Sequence, residues 1–133
     1  VEQQQQDMTI LVVEDEEDIL WALELLLSRL GCQPIATRSG EAALAAAPRG
    51  PFHLAFIDAK LPDMEGIVLA KELKARQAGL PIVLISGFFY EDDAQVQECI
   101  QAGLIDAFIG KPFQHAEIRR VISTLRSREE LRQ

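Results

Sequence analysis

Asp58 closes the apolar run Phe52-His53-Leu54-Ala55-Phe56-Ile57, where a central strand leaves its sheet at a mouth rather than in a core. Three other polar sites recur at matching strand ends. Glu14-Asp15 follows Ile10-Leu11-Val12-Val13, Ser86 follows Ile82-Val83-Leu84-Ile85, and Lys111 follows Ala107-Phe108-Ile109-Gly110. Glu14, Asp15 and Asp58 at one sheet edge repel each other unless a cation joins them, and a hard ion such as Mg²⁺ takes oxygen ligands of this kind. Asp15 and Asp58 suit direct ligation, with Glu14 acting through water. A phosphoryl group on Asp58 would need further donors, and the Ser86 hydroxyl and Lys111 ammonium can supply them. Gly87 leaves room beside Ser86, and Pro112 fixes the turn that aims Lys111, through a bond expected to be cis. Singly, each residue has a plainer use. Glu14-Asp15 can cap the first helix, Asp58 can serve a turn, and a lone lysine is commonly solvated. Jointly, at one edge and in this order, they form a constellation for phosphoryl transfer.

The elements that must hold these residues follow from periodicity. Five strands are expected at Thr9 to Glu14, Gln33 to Thr37, Leu54 to Asp58, Pro81 to Ser86 and Ala107 to Ile109. Five helices alternate with them: Glu16 to Leu30, Gly40 to Ala47, a third ending near Ala78, Glu91 to Ala102, and Gln114 to Arg128. Gly31 stops the first helix, Pro48 and Gly50 the second, while Gly66 and Gly103 mark turns. The first, third and fourth strands are nearly continuous apolar runs, as when helices cover both faces of a parallel sheet. The expected fold is therefore a doubly wound (βα)5 α/β/α sandwich around a five-stranded parallel sheet. Ligands of such sheets bind outside the carboxyl ends of the strands, where all the polar residues above fall.

Bulk composition narrows the classes. The 133 residues suit one domain, with 48% hydrophobic and 26% charged content. A net charge of −8 argues against direct nucleic-acid contact. No run approaches a membrane span, and Cys32 and Cys99 lack metal-ligand spacing, so reduced thiols and a cytoplasmic location are expected. The expected organisation is a polar Gln-rich leader over 1–8, one domain over 9–128 and a charged tail or linker start over 129–133. Beginning at Val1, the chain reads as processed or excised. His53 and His115 are isolated and suggest no ligand role.

Rival phosphate chemistries fail on motif. There is no G-x-x-x-x-G-K-S/T loop and no G-x-G-x-x-G after the first strand. An aspartyl phosphatase with a second acid two residues on would need one where Lys60 stands.

Over roughly Thr9 to Arg126 the chain resembles the receiver domain of two-component response regulators. The motifs are Ile10-Leu11-Val12-Val13-Glu14-Asp15, Ile57-Asp58-Ala59-Lys60-Leu61-Pro62-Asp63-Met64-Glu65-Gly66, Ile85-Ser86-Gly87 and Gly110-Lys111-Pro112-Phe113. The resemblance implies a flavodoxin-like strand order 2-1-3-4-5, and that Asp58 accepts a phosphoryl group from a partner histidine. It implies Mg²⁺, with Mn²⁺ as a substitute, held by Asp15, Asp58 and the Lys60 carbonyl. Ser86 and Phe108 would relay phosphorylation to the face formed by the fourth helix, fifth strand and fifth helix, although Phe108 can equally be a plain core aromatic. Lys60 and Phe88 occupy positions that vary in this family and tune dephosphorylation. Phe88, Phe89 and Tyr90 would form an aromatic lip limiting water access.

Implied partners are a histidine kinase or histidine phosphotransfer protein and an output domain or effector outside this chain, with homodimerisation on activation left open. On the first helix, Ile19, Ala22, Leu23, Leu26, Leu27 and Leu30 are expected to face the core. Leu20, Trp21 and Leu25 lie off that stripe and are expected to help dock the partner, with burial under the last helix as the alternative. The rival function is a pseudo-receiver, an interaction module that signals by binding alone. An autonomous hydrolase is the third possibility.

Overall fold

The computed structural model describes residues 8–87 and 93–132, with side chains through Glu129. Five strands, β1 (Thr9–Val13), β2 (Gln33–Thr37), β3 (Leu54–Asp58), β4 (Ile82–Ser86) and β5 (Ala107–Gly110), form one sheet in the order β2-β1-β3-β4-β5. Every pairing is parallel, with Val12 beside Phe56 and Asp58 beside Ile85. The helices are α1 (Glu17–Arg29), α2 (Gly40–Ala46), α3 (Gly66–Arg76), α4 (Ala94–Gln101) and α5 (His115–Arg132), with a 3₁₀ turn at Ala47–Arg49 after α2. This is the expected fold and strand order.

The alternating geometry of strands splits the core in two. Leu11, Val13, Ala55, Ile57 and Leu84 join α2, α3 and α4 residues such as Ala43, Leu69 and Val96 on one face. Ile10, Val12, Phe56, Val83 and Ile85 join Leu23 and Leu27 of α1 and Ile118 and Ile122 of α5 on the other. With both faces covered, β3 and β4 are buried at every position. Truncating a fully buried Leu23 or Leu27 to alanine should cost about 2–5 kcal/mol.

Boundaries shift by a few residues. Leu30 is the C-cap of α1 rather than its last turn, and Gly31 follows at φ 83°, a left-handed conformation open to glycine. α3 stops at Arg76, because Gln77 turns its side chain to the backbone of Phe52, accepting from its N–H and donating to its carbonyl. α5 continues through Arg132, into the stretch expected as a tail. His53 is not isolated, since its Nδ1 accepts a bond from the Thr9 amide at 3.0 Å. Among the described residues no helix is long and apolar enough to cross a membrane.

Candidate functional site

The carboxyl ends of β1, β3, β4 and β5 open onto a cleft of about 610 Å³ lined by Asp15, Glu16, Ile19, Asp58, Lys60, Gly87, Lys111 and Pro112. Asp58 is 4% exposed and has donors on both oxygens. Its Oδ1 accepts from the Lys60 amide at 3.2 Å, and its Oδ2 from Lys111 Nζ at 3.1 Å. The loop after β3 turns back beneath it, with the Gly66 amide donating to the Ala59 carbonyl at 2.8 Å. Gly66 approaches so closely that a Cβ there would meet the Asp58 carbonyl oxygen. The tight return therefore requires glycine at the start of α3.

Lys111 arrives through a cis peptide to Pro112, as expected, and its own amide donates to the Ser86 carbonyl at 2.9 Å. The ammonium reaches three acids: Glu16 Oε1 at 2.6 Å, Glu14 Oε1 at 2.9 Å and Asp58 Oδ2 at 3.1 Å. Burial alone would lower the Lys111 pKa, but Glu14, Glu16 and Asp58 outweigh it and the net shift is upward. The lysine stays charged and stands where a metal's charge would otherwise be needed.

Glu14 is 1% exposed. Burial raises its carboxyl from 4.5 to about 7, against the opposing pull of Lys111 and the Glu16 amide and with Asp58 adding to the rise. Its Oε2 accepts from the Glu16 amide at 3.0 Å. Its buried Oε1 pairs with Lys111 and meets no other hydrogen-bond donor, so a lone pair on it can take another cation. Oxygens of Glu14, Glu16 and Asp58 all lie within 4.8 Å of one another. A hard divalent ion fits this donor set: oxygen atoms only, in excess of the charge one lysine neutralises, with one buried oxygen held by an ion pair alone.

Glu16 was not among the residues singled out by sequence. It reads there as one acid among several opening α1, and only its reach to Lys111 distinguishes it. Asp15 lines the cleft, but its carboxylate is outside the converging trio, and its carbonyl accepts from Arg38 Nη2 at 3.2 Å. Ser86 is fully buried at the end of β4, with Gly87 lining the cleft beside Lys111. Phe108 is half-buried against the α2–α3–α4 side of the core. The proposed lip of Phe88, Phe89 and Tyr90, and the expected start of α4 at Glu91, lie outside the described residues.

The expected partner patch needs one correction. Leu20 is buried at 7%, packed with Leu23 and Leu27, because offsets of three and seven residues bring these positions onto one helix face. Ile19 and Leu30, expected in the stripe, are only partly buried at its margin. Trp21 at 64% and Leu25 at 36% are exposed, so burial under the last helix does not apply to them.

Residues 10–123 match the family model described as "Response regulator receiver domain". The chain belongs to that family, the receiver module of two-component signalling. It is 33% identical over 116 residues to the transcriptional regulatory protein FixJ of Rhizobium meliloti (strain 1021), covering 87% of this chain and 55% of that protein. It is 31% identical over 122 residues to the alkaline phosphatase synthesis transcriptional regulatory protein PhoP of Bacillus subtilis (strain 168), covering 92% and 50%. Among solved structures, a CheY-like receiver domain protein from Methanospirillum hungatei JF-1 superposes with a TM-score of 0.83 at 25% identity, covering 94% of this chain and 98% of that one. The chain spans only part of its curated relatives, from 8% of a hybrid signal transduction histidine kinase of Dictyostelium discoideum to 55% of FixJ.

Proposed function

We propose that this chain is a phosphoacceptor whose Asp58 takes a phosphoryl group from a partner's phosphohistidine and whose α4-β5-α5 face reports the event. The observation that carries this reading is the Asp58 carboxylate, nearly buried at a cleft mouth, with Lys111 Nζ 3.1 Å from one oxygen and the Lys60 amide 3.2 Å from the other. An Asp58 oxygen attacks phosphorus in line as the donor's P–N bond breaks, the electron pair leaving with the imidazole. Asp58 and the Lys60 carbonyl would hold Mg²⁺ or Mn²⁺, with Glu14 and Glu16 beside them and Asp15 turning in from the cleft wall, and the ion would supply positive charge to the phosphoryl oxygens. Lys111, positioned by Glu14 and Glu16, moves to pair with the new phosphoryl group, which carries about −1.5 to −2 charges.

Ser86 donates to the same group from the end of β4. The half-buried ring of Phe108 follows that movement into the core and shifts the surface population. Trp21 and Leu25, without Leu20, form the apolar part of the surface for a histidine kinase or phosphotransfer protein. The output lies in a domain or effector beyond this chain, as the transcriptional regulators among its relatives suggest. The chain catalyses its own phosphorylation and dephosphorylation rather than turning over a substrate.

The test is intact-protein mass after incubation with acetyl phosphate, with and without Mg²⁺, beside Asp58→Asn. A divalent-dependent gain of one phosphoryl group, lost in the variant, is the expected result. No gain from acetyl phosphate or from a phosphohistidine donor would leave a module that signals by binding alone.

A further inference from the structure

We propose that the His53 imidazole is a proton-operated latch on the entry to β1, closed on the Thr9 amide when neutral and released when protonated. His53 stands just before β3, and Thr9 opens β1 beside it. The two residues exchange a pair of hydrogen bonds. The His53 amide donates to the Thr9 carbonyl at 2.8 Å, and the Thr9 amide donates to His53 Nδ1 at 3.0 Å. The first bond is backbone to backbone and indifferent to pH, whereas the second uses a titratable ring as its acceptor. On the other side of β1, the Gln33 amide donates to the Met8 carbonyl at 2.8 Å. Together these bonds hold the chain as it enters the sheet, with Met8 buried in the α1–α5 side of the core.

Only an unprotonated ring nitrogen accepts from an N–H, so the bond requires the neutral tautomer with its proton on Nε2. A second proton turns Nδ1 into a donor facing the Thr9 donor, and the bond is lost. Histidine is the side chain suited to that change between about pH 5 and 8. The ring borders a hollow of about 250 Å³ with Gln77 after α3 and with Leu125, Arg128 and Glu129 of α5. Thr9 and Gln77 are uncharged. Arg128 opposes an added proton on the ring and Glu129 favours one, so the charges on that side are of opposite sign. The latch sits at the amino end of the sheet, at the far end of the strands from Asp58. Its release therefore loosens the start of β1 rather than the cleft, and it operates whether or not Asp58 accepts a phosphoryl group.

The experiment follows hydrogen exchange of the Thr9 amide by NMR in the full isotope-labelled chain, from about pH 8 to about pH 5, corrected for the intrinsic pH dependence of exchange. Protection at Thr9 is expected to fall about two- to tenfold on acidification, the range one hydrogen bond supplies, while Leu11 and Val12 change less. Ring nitrogen shifts at neutral pH should show His53 with Nδ1 bare and the proton on Nε2. His53→Asn offers a side-chain oxygen that accepts from the same amide but does not titrate, so protection should persist there without the pH dependence. His53→Ala should lack that protection at every pH. A proton on Nδ1 at neutral pH, or Thr9 protection in the native chain that ignores pH, overturns the inference. So does native protection in His53→Ala, or an undiminished pH dependence in His53→Asn. The first two readings are made on the native chain and decide the matter even where a variant fails to fold.

Discussion

Lys111 contacts Glu14, Glu16 and Asp58 at once, which makes it the residue whose loss the resting site tolerates least. Replacing it by methionine keeps much of the stem but leaves three acids facing one another without their cation. We expect Lys111→Met to lower stability by about 3 kcal/mol in chelator, as when one partner of a buried pair is removed. Mg²⁺ should recover part of that loss, and urea midpoints with and without the ion would show it. Glu16 makes the shortest contact to Lys111, at 2.6 Å, but from an exposed position. Its truncation to alanine should therefore change stability by less than about 1 kcal/mol in the same titration. Asp58 and Lys111 were legible because each ends an apolar strand, whereas Glu16 stands in a run of acids where local pattern ranks none above another.

The loop from Ala59 to Gly66 positions the site, and the outer face of α1 is its proposed docking surface. Asp63 pins that loop to α2, its two oxygens accepting from the Gly40 and Glu41 amides at 2.9 Å each. Those bonds hold the Asp63 carboxyl below the usual carboxylate range, so the stability it contributes is present above about pH 4 and lost as pH falls through its folded-state value. Asp63→Asn should remove that part of the acid dependence, read as a smaller fall of thermal midpoint on acidification. Gly66→Ala pushes a methyl against the Asp58 and Ala59 backbone, which cannot move aside as a flexible side chain would. A loss beyond about 2 kcal/mol, or failure to fold, is expected in denaturant titration. On α1, the double variant Trp21→Ala, Leu25→Ala should slow phosphotransfer from the cognate histidine protein while its thermal midpoint stays near native, since neither side chain is in the core. A native transfer rate would remove that helix face from the docking surface. Leu20 was misassigned because several leucines crowd α1, and apolar periodicity there is too weak to say which one turns inward until the sheet is packed against it.

For the molecule as a whole, the buried acids couple the fold to protons and, on the proposed reading, to a divalent ion. Glu14 titrates near 4.5 when unfolded and at about 7 when folded, so between those values the native state binds more protons than the unfolded one. Its contribution is complete below about pH 4.5 and is lost as pH rises through about 7. In chelator, the thermal midpoint should fall across that interval, and Glu14→Gln should flatten the decline. On the proposed metal reading, Mg²⁺ that binds only the folded arrangement should restore about 2.7 kcal/mol at neutral pH when present at a hundred times its dissociation constant. The alternation of five strands with five helices and the strand ends that carry the site were determined by sequence alone, since apolar runs and glycine stops are local properties, whereas local pattern leaves more than one order for a doubly wound sheet. Tertiary structure alone decided that Glu16 meets Lys111 across 95 residues and that Asp15 stands apart from the converging trio. Those outcomes depend on side-chain directions set when separate elements pack together, and no spacing along the chain encodes them.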